Sequence, residues 1–308
     1  MVAVECKNVT KKFKDENLQE KVALDNVSFK MKENKIYALL GRNGAGKTTL
    51  LNCLCTKYLP DTGEIYVLGE KVYENEKVLK QICFMSDNLA SFEIKNVKKI
   101  LQFASTFYEN WDENFMERLL EFFEIDKGTL YNALSKGQKT VIGIIIGLCS
   151  NCKVVFLDEI YSGLDAVARK NFYNILLEAY ENNPRTFVLS THLIEEMTGL
   201  FTDVIIMDKG KILLNEDMEV IHQKSYKCVG RTDLEGILKG KNVIGKTQIG
   251  ATTEYAVYDE FTAEEMKRLK DNNFTVSALT LQELFIALTD TKGDEGSVKE
   301  WGGFSGAN

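Results

Sequence analysis

Apolar residues along the first 30 positions recur with the period of a strand. Val2, Val4 and Cys6 alternate with polar neighbours, and Val22, Leu24, Val27 and Phe29 follow a polar loop at residues 15–21. A short apolar run, Ile36–Leu40, leads into a glycine-rich octapeptide, and the apolar segment 50–58 beyond it has helical length. A turn at 61–63 opens a β-rich stretch that ends near Met85. Residues 91–150 have helical texture and hold no convincing strand. Alternation then returns and predicts a strand at 154–157, a helix at 166–180, a strand at 186–189, a helix at 193–200 and a strand at 204–207. Together these predict a parallel α/β core interrupted by a helical insertion at about 88–150.

The pattern changes again at residues 222–225, so the first domain is expected to cover 1–222. Residues 223–290 predict a small α+β domain, with strands near 226–229, 255–258 and 275–277 and helices at 263–270 and 281–288. The tail, 291–308, has five glycines in 18 residues and almost no apolar periodicity, which predicts disorder.

Composition narrows the function classes. With 308 residues the chain can bury a sizeable core without disulfide or metal staples. Its formal charge of −7 argues against a strong non-specific nucleic-acid binder, which needs a net basic surface. Seven cysteines are scattered from Cys6 to Cys228, and the pairs Cys53/Cys55 and Cys149/Cys152 have no histidine nearby, so reduced, buried thiols are expected. The N-terminus has no secretion-signal pattern, and the longest apolar stretch, 141–149, is too short to span a bilayer. A cytoplasmic chain is the expectation.

Two strings carry chemistry. Gly41, Arg42, Asn43, Gly44, Ala45, Gly46, Lys47 and Thr48 fit the phosphate loop G-x-x-x-x-G-K-[ST], placed between a strand and a helix. Its glycines let backbone N–H groups turn toward phosphates at the positive end of the helix. Lys47 is expected to bridge β- and γ-phosphate oxygens, Thr48 to bind Mg²⁺ and Thr49 to reach the α-phosphate. The second string is an apolar strand ending in Asp158 and Glu159, 111 residues after Lys47. Asp158 is expected in the Mg²⁺ shell, and Glu159 is expected to position the attacking water.

With these strings in place, the chain resembles the nucleotide-binding subunits of ABC transporters. Leu134, Ser135, Lys136, Gly137 and Gln138 resemble that family's signature pentapeptide, with Ser135 lying 23 residues before Asp158. Ser162, Gly163, Leu164 and Asp165 look like its D-loop, His192 its switch histidine, and Phe13 the aromatic ring that stacks on adenine. The resemblance covers roughly 1–222. It implies a P-loop NTPase cassette with a parallel α/β core, an antiparallel β subdomain and a helical subdomain. It further implies ATP hydrolysis with Mg²⁺, catalysed by Lys47, Glu159 and His192, and a signature motif acting in trans across a homodimer or a pair with a related ATPase. Ser135 is also a plausible helix N-cap on its own.

Departures from the family pattern are Lys136 for glycine, Ile160 for proline after Glu159, and Asp87 at the Q-loop where Gln or Glu is usual. The insertion is aromatic-rich: residues 84–123 carry nine of the chain's 31 aromatics, including Phe103, Phe107, Tyr108, Trp111 and Phe115. Core packing is one reading of these rings; an apolar groove for a partner's cytoplasmic helix is the other. The string FASTFYENWD resembles a subgroup of ABC-2-type exporter ATPases associated with antimicrobial peptides and peptide toxins, and the C-terminal LQELF is similar to the appendage of ABC-2 ATPases, which is often linked to dimer contact. That resemblance implies a separate ABC-2-type transmembrane permease, a peripheral position on the cytoplasmic face of the membrane, and no nucleic-acid partner. An ABC ATPase working on nucleic acid or the ribosome would favour a basic surface, a second cassette or a long coiled-coil insertion, and none is visible. A regulatory cassette that hardly hydrolyses ATP is disfavoured by the intact Glu159 and His192.

Overall fold

The computed structural model describes residues 1–14, 18–86, 95–161, 163–231 and 238–290. The chain divides into two compact units, Met1–Met218 and a second beginning at Glu219, a break that falls within the helix Met218–Lys224.

In the first unit, β1 (Val2–Lys14) and β2 (Glu20–Lys32) pair antiparallel, with Cys6 opposite Phe29 and Val9 opposite Val27. Val4, Cys6, Leu24, Val27 and Met31 are buried, and register shifts between Cys6 and Val9 and between Val9 and Lys11 break strict alternation. After β3 (Ile36–Leu40) and helix α1 (Lys47–Leu54), the chain adds β4 (Thr62–Val67) and β5 (Glu70–Lys71), giving a sheet of order β2-β1-β4-β5. A one-turn helix α2 (Glu76–Leu79) precedes β6 (Ile82–Ser86).

The helical insertion comprises α3 (Val97–Phe107), α4 (Glu113–Phe122) and α5 (Lys136–Cys149). Helix α3 buries Val97, Ile100, Leu101 and Ala104, the i, i+3, i+4, i+7 stripe of a helix packed on one side. Every residue of α5 from Thr140 to Cys149 is buried, so this helix returns the chain to the core. Next come β7 (Val154–Asp158), α6 (Ala166–Asn182), β8 (Thr186–Thr191), α7 (Ile194–Met197), β9 (Asp203–Asp208) and β10 (Lys211–Asp217).

The second sheet has the order β10-β9-β3-β8-β7-β6; its strands run parallel except β10, which pairs antiparallel with β9 at the edge. Strands β3, β7 and β8 are buried along their whole lengths, which accounts for their unbroken apolar runs. One apolar cluster joins the two sheets through Val4, Leu24, Leu39, Leu50, Phe156 and Ile205. The carboxyl ends of β3, β7 and β8 therefore come side by side, where open α/β sheets bind ligands.

Several expectations need correction. Segment 50–58 is not one helix: α1 starts earlier, at Lys47, and ends at Leu54, and Thr56 takes a left-handed φ of 59°. The helix expected at 193–200 splits into α7 and a 3₁₀ turn, Thr198–Leu200. The pattern predicts neither strand β10 nor helix α2, and β10 adds an antiparallel edge to the parallel core.

After α8 (Met218–Lys224), the second unit is an antiparallel sheet, β12-β13-β11-β14, built from β11 (Ser225–Gly230), β12 (Val243–Ile249), β13 (Thr252–Tyr258) and β14 (Thr275–Ala278). Helices α9 (Ala263–Asp271) and α10 (Leu281–Thr289) each start with a capping box, Thr262/Glu265 and Thr280/Glu283. Cys228, Tyr255, Val257, Leu269 and Phe274 form its core. The sequence pattern did not anticipate β12, whose largely exposed residues lack an apolar face. The tail 291–308 lies outside the described residues. Among the described residues no helix is long and apolar enough to cross a membrane.

Candidate functional site

The glycine-rich loop leaves β3 and enters α1. Gly46, the N-cap of α1, has φ 108°, and a Cβ there would lie 2.6 Å from the Ala23 carbonyl oxygen. A Cβ on Gly41 would lie 2.7 Å from the Met207 carbonyl oxygen, so both positions require glycine for close backbone approach. The turn between β9 and β10 braces the loop, with the Gly210 N–H donating to Ala45 O at 2.9 Å. No side chain caps α1, which leaves first-turn N–H groups for an outside acceptor.

Lys47 is 6% exposed. Its Nζ donates to Gly41 O at 2.7 Å and lies 3.7 Å from Glu159 Oε1. A buried ammonium needs opposite charge, and one carboxylate at that distance leaves room for phosphate oxygens. Beside it, the Thr48 hydroxyl donates to Asp158 Oδ2 at 2.7 Å, while Asp158 Oδ1 is buried with no hydrogen-bond partner. A hydroxyl and an unpartnered carboxylate oxygen suit a hard divalent cation such as Mg²⁺.

Glu159 follows β7 in a left-handed conformation, φ 49°, which costs a non-glycine residue about 1 kcal/mol. Its N–H donates to Ser190 O at 3.1 Å, and the buried Tyr161 hydroxyl donates to the same carbonyl. That backbone turns the side chain to lie between Lys47 and His192, with Oε2 3.5 Å from His192 Nδ1. His192 is exposed just past β8. Ile160, where proline was the family expectation, is fully buried and so serves as core.

Lys47, Thr48, Asp158, Glu159 and His192 thus form one constellation at neighbouring strand ends, with Arg42, Asn43, Gly44 and Thr49 on the same loop-helix junction. The signature-like pentapeptide stands elsewhere. Ser135 caps α5 in a reciprocal box with Gln138 (Ser135 Oγ accepts from Gln138 N at 3.1 Å, Gln138 Oε1 from Ser135 N at 3.0 Å), Leu134 is buried and Lys136 is exposed. Among the described residues no hydrogen bond or ion pair joins this pentapeptide to the constellation.

Asp165 caps α6 by accepting from Ala168 N at 2.8 Å, and Leu164 packs inward. Gly163 lies against the first turn of α5: a Cβ on it would meet Thr140 Oγ1 at 2.7 Å, and a Cβ on Gly137 would meet Gly163 O at 3.2 Å. Phe13 stands near the end of β1, 37% exposed, with the Tyr58 ring edge-on to it at 5.4 Å. Ser162 and Asp87 lie outside the described residues. Among those described, no group of three or more His, Cys, Asp or Glu could hold a metal by itself.

The ABC transporter family model matches residues 24–162. An uncharacterized ABC transporter ATP-binding protein, MJ1023 of Methanocaldococcus jannaschii, is 32% identical over 229 residues, covering 72% of this chain and 80% of that protein. The chain belongs to the ABC transporter ATP-binding proteins. The ABC transporter ATP-binding protein YtrB of Bacillus subtilis is similar over 268 residues at 23% identity, covering 86% of this chain and 92% of YtrB. Among solved structures, an ATP-binding subunit of an ABC transporter shares the fold with a TM-score of 0.63 at 22% identity, over 71% of this chain and 92% of that one. A dimeric post-hydrolysis ATP-binding cassette with ADP and phosphate gives 0.60 at 22% identity, over 70% and 98%.

The chain is therefore an ABC ATPase, the ATP-binding subunit of an ABC transporter, and its cassette has the mixed parallel core and antiparallel sheet of that fold. Sequence reasoning missed Tyr161 and Ser190, which fix the Glu159 backbone, and Tyr58 and Asp61 beside Phe13. Tyr58 falls within an expected helix and Asp61 within an expected turn, and no motif marks a site role for any of the four.

Proposed function

We propose that this ABC ATPase hydrolyses ATP to drive export through a separate ABC-2-type permease on the cytoplasmic face of the membrane, with peptides or toxic amphipathic compounds as cargo. The Lys47–Glu159–His192 array beside Thr48 and Asp158 carries the hydrolytic part of this reading. Lys47 exchanges Gly41 O for β- and γ-phosphate oxygens, and the loop N–H groups of 41–49 hold the remaining phosphate charge. Thr48 and Asp158 would hold Mg²⁺, which supplies neutralisation of phosphate charge when bound. Glu159 orients water toward the γ-phosphate, and His192 fixes the Glu159 carboxylate on one side and the γ-phosphate on the other. Phe13 stacks on the adenine.

The signature residues complete a site in a second copy or in a related ATPase. Ser135 and Gly137 stand at an exposed helix start, suited to a phosphate but apart from the Lys47 of their own chain. Gly163, Leu164 and Asp165 would line the same junction, as part of the D-loop of this reading. Toward the permease, the candidate surface is the helical insertion. Phe103 and Phe107 are 45% and 55% exposed and pack edge-to-face at 4.7 Å, whereas the Tyr108 hydroxyl turns inward to Cys83 Sγ at 3.3 Å. Two neighbouring exposed rings support docking of a partner helix.

Light scattering on the Glu159→Gln variant with ATP and Mg²⁺ tests the reading. ATP without turnover is expected to hold a species of twice the monomer mass, and ADP is expected to leave the monomer. A monomer with ATP bound under all conditions contradicts the self-paired form of the proposal.

A further inference from the structure

The turn that follows α1 ties the phosphate loop to the ring near the end of β1. Asn52, buried on α1, donates from Nδ2 to Thr48 O at 2.8 Å, and its own carbonyl accepts from the Tyr58 N–H at 3.2 Å. The Tyr58 ring then meets Phe13 edge-on, with centroids 5.4 Å apart and planes at 75°. Three residues further on, Asp61 clamps the same stretch of β1. Its Oδ2 accepts from the Lys12 N–H at 2.6 Å, its Oδ1 lies 3.4 Å from Lys11 Nζ, and its N–H donates to Thr10 O at 2.8 Å. The Lys11 ammonium in turn sits 5.5 Å from the Phe13 ring centre. Phe13 is thus gripped along one edge and through its backbone neighbours, yet more than a third of it stays exposed.

We propose that Tyr58 and Asp61 are positioning residues of the nucleotide site, holding the Phe13 ring so that its open face receives the base. This rests on the reading of Phe13 as the adenine-stacking ring. Stacking alone gives a partly exposed aromatic side chain little orientation. An edge-to-face neighbour fixes the ring plane and is worth a two- to tenfold change in affinity, about 0.5–1.5 kcal/mol. Because the grip runs through Asn52 to Thr48, the base ring and the phosphate loop keep a fixed separation, which favours a ligand carrying both a base and a triphosphate.

The test uses the full chain and measures dissociation constants for ATP and for inorganic triphosphate, which has no base. Tyr58→Leu is expected to weaken ATP binding about two- to tenfold and to leave triphosphate binding within about twofold of wild type. Asp61→Ala is expected to act in the same direction, and Tyr58→Phe to keep the wild-type ATP affinity, since the ring and not its hydroxyl makes the contact. Equal weakening of ATP and triphosphate in Tyr58→Leu overturns the proposal, because the damage then lies in the phosphate loop. Unchanged ATP affinity in Tyr58→Leu, with a loss in Phe13→Ala, overturns it while leaving Phe13 at the base. Unchanged ATP affinity in Phe13→Ala removes the reading of Phe13 and the proposal with it.

Discussion

At the scale of single residues, the site is set by a few backbone positions that the chain holds at a cost. Glu159 stands at φ 49° with its N–H on the Ser190 carbonyl, which also accepts from the Tyr161 hydroxyl, and its carboxylate lies within reach of both Lys47 and His192. Tyr161→Phe removes one of the two donors and is expected to lower stability by about 1 kcal/mol in urea unfolding. It should also cut the ATPase rate more than it weakens ATP binding, because the Glu159 backbone loosens while the phosphate loop does not. Equal losses in rate and affinity would contradict that division. Gly163 makes a second case. An added methyl would press on Thr140 Oγ1 at 2.7 Å and Lys136 Cγ at 3.2 Å, so Gly163→Ala is expected to cost about 1–3 kcal/mol through overpacking. Thr140→Ala combined with it should restore most of that stability. A double mutant no more stable than Gly163→Ala would show that the steric account is wrong.

At the scale of elements, the helix starts carry the clearest local logic. Ser135 both caps α5 and presents its hydroxyl at an exposed helix end, two roles that substitution can separate. Ser135→Ala is expected to lose about 1 kcal/mol of stability as a missing cap. Ser135→Asp keeps a capping oxygen and should hold near wild-type stability, yet its charge should oppose a facing phosphate and abolish ATP-dependent pairing in light scattering. Ser135→Asp that pairs normally would leave Ser135 as a cap and nothing more. How much of the fold is legible in sequence follows from burial. Strands β3, β7, β8 and β9 announce themselves as apolar runs because both faces of the central sheet are covered. Helix α3 shows its stripe because only one side packs. Strand β12 is largely exposed and β10 follows a hairpin turn that only tertiary pairing completes, so neither leaves a readable pattern. The end of α1 at Leu54 is decided by the Asn52–Tyr58 hydrogen bond and the left-handed Thr56, which periodicity cannot see. In the site, Lys47, Thr48, Asp158 and Glu159 are readable because their spacing is tied to strand ends, whereas Tyr161, Ser190 and Tyr58 act through contacts distant in sequence.

At the scale of the whole molecule, the seven cysteines are free, six of them buried and Cys55 nearly so, and burial pushes their thiols up. Cys53, Cys83 and Cys228 reach about 11 and Cys152 about 12, from an ordinary value of 9.0. Between pH 9 and 11 the unfolded chain has released these protons while the folded chain keeps them, so stability falls as pH rises through that window and is unaffected by them below it. Urea unfolding at pH 8 and pH 10 is expected to show the lower midpoint at pH 10, and thiol reagents at pH 8 should react slowly until the chain unfolds. Fast reaction of several thiols in the folded protein would contradict this picture of the core.

The same scale bears on the proposed function, because Lys47 of the phosphate loop and Glu159 meet, whereas no hydrogen bond or ion pair among the described residues joins the helix start at Ser135 to them. The most direct measurement is the ATPase rate of the isolated chain against its own concentration, with Glu159→Gln alongside. A rate that rises more steeply than linearly with protein, and vanishes in Glu159→Gln, is the result expected if two copies assemble each competent site around Glu159. A rate strictly proportional to concentration, retained in Glu159→Gln, would contradict both the pairing and the role of that carboxylate.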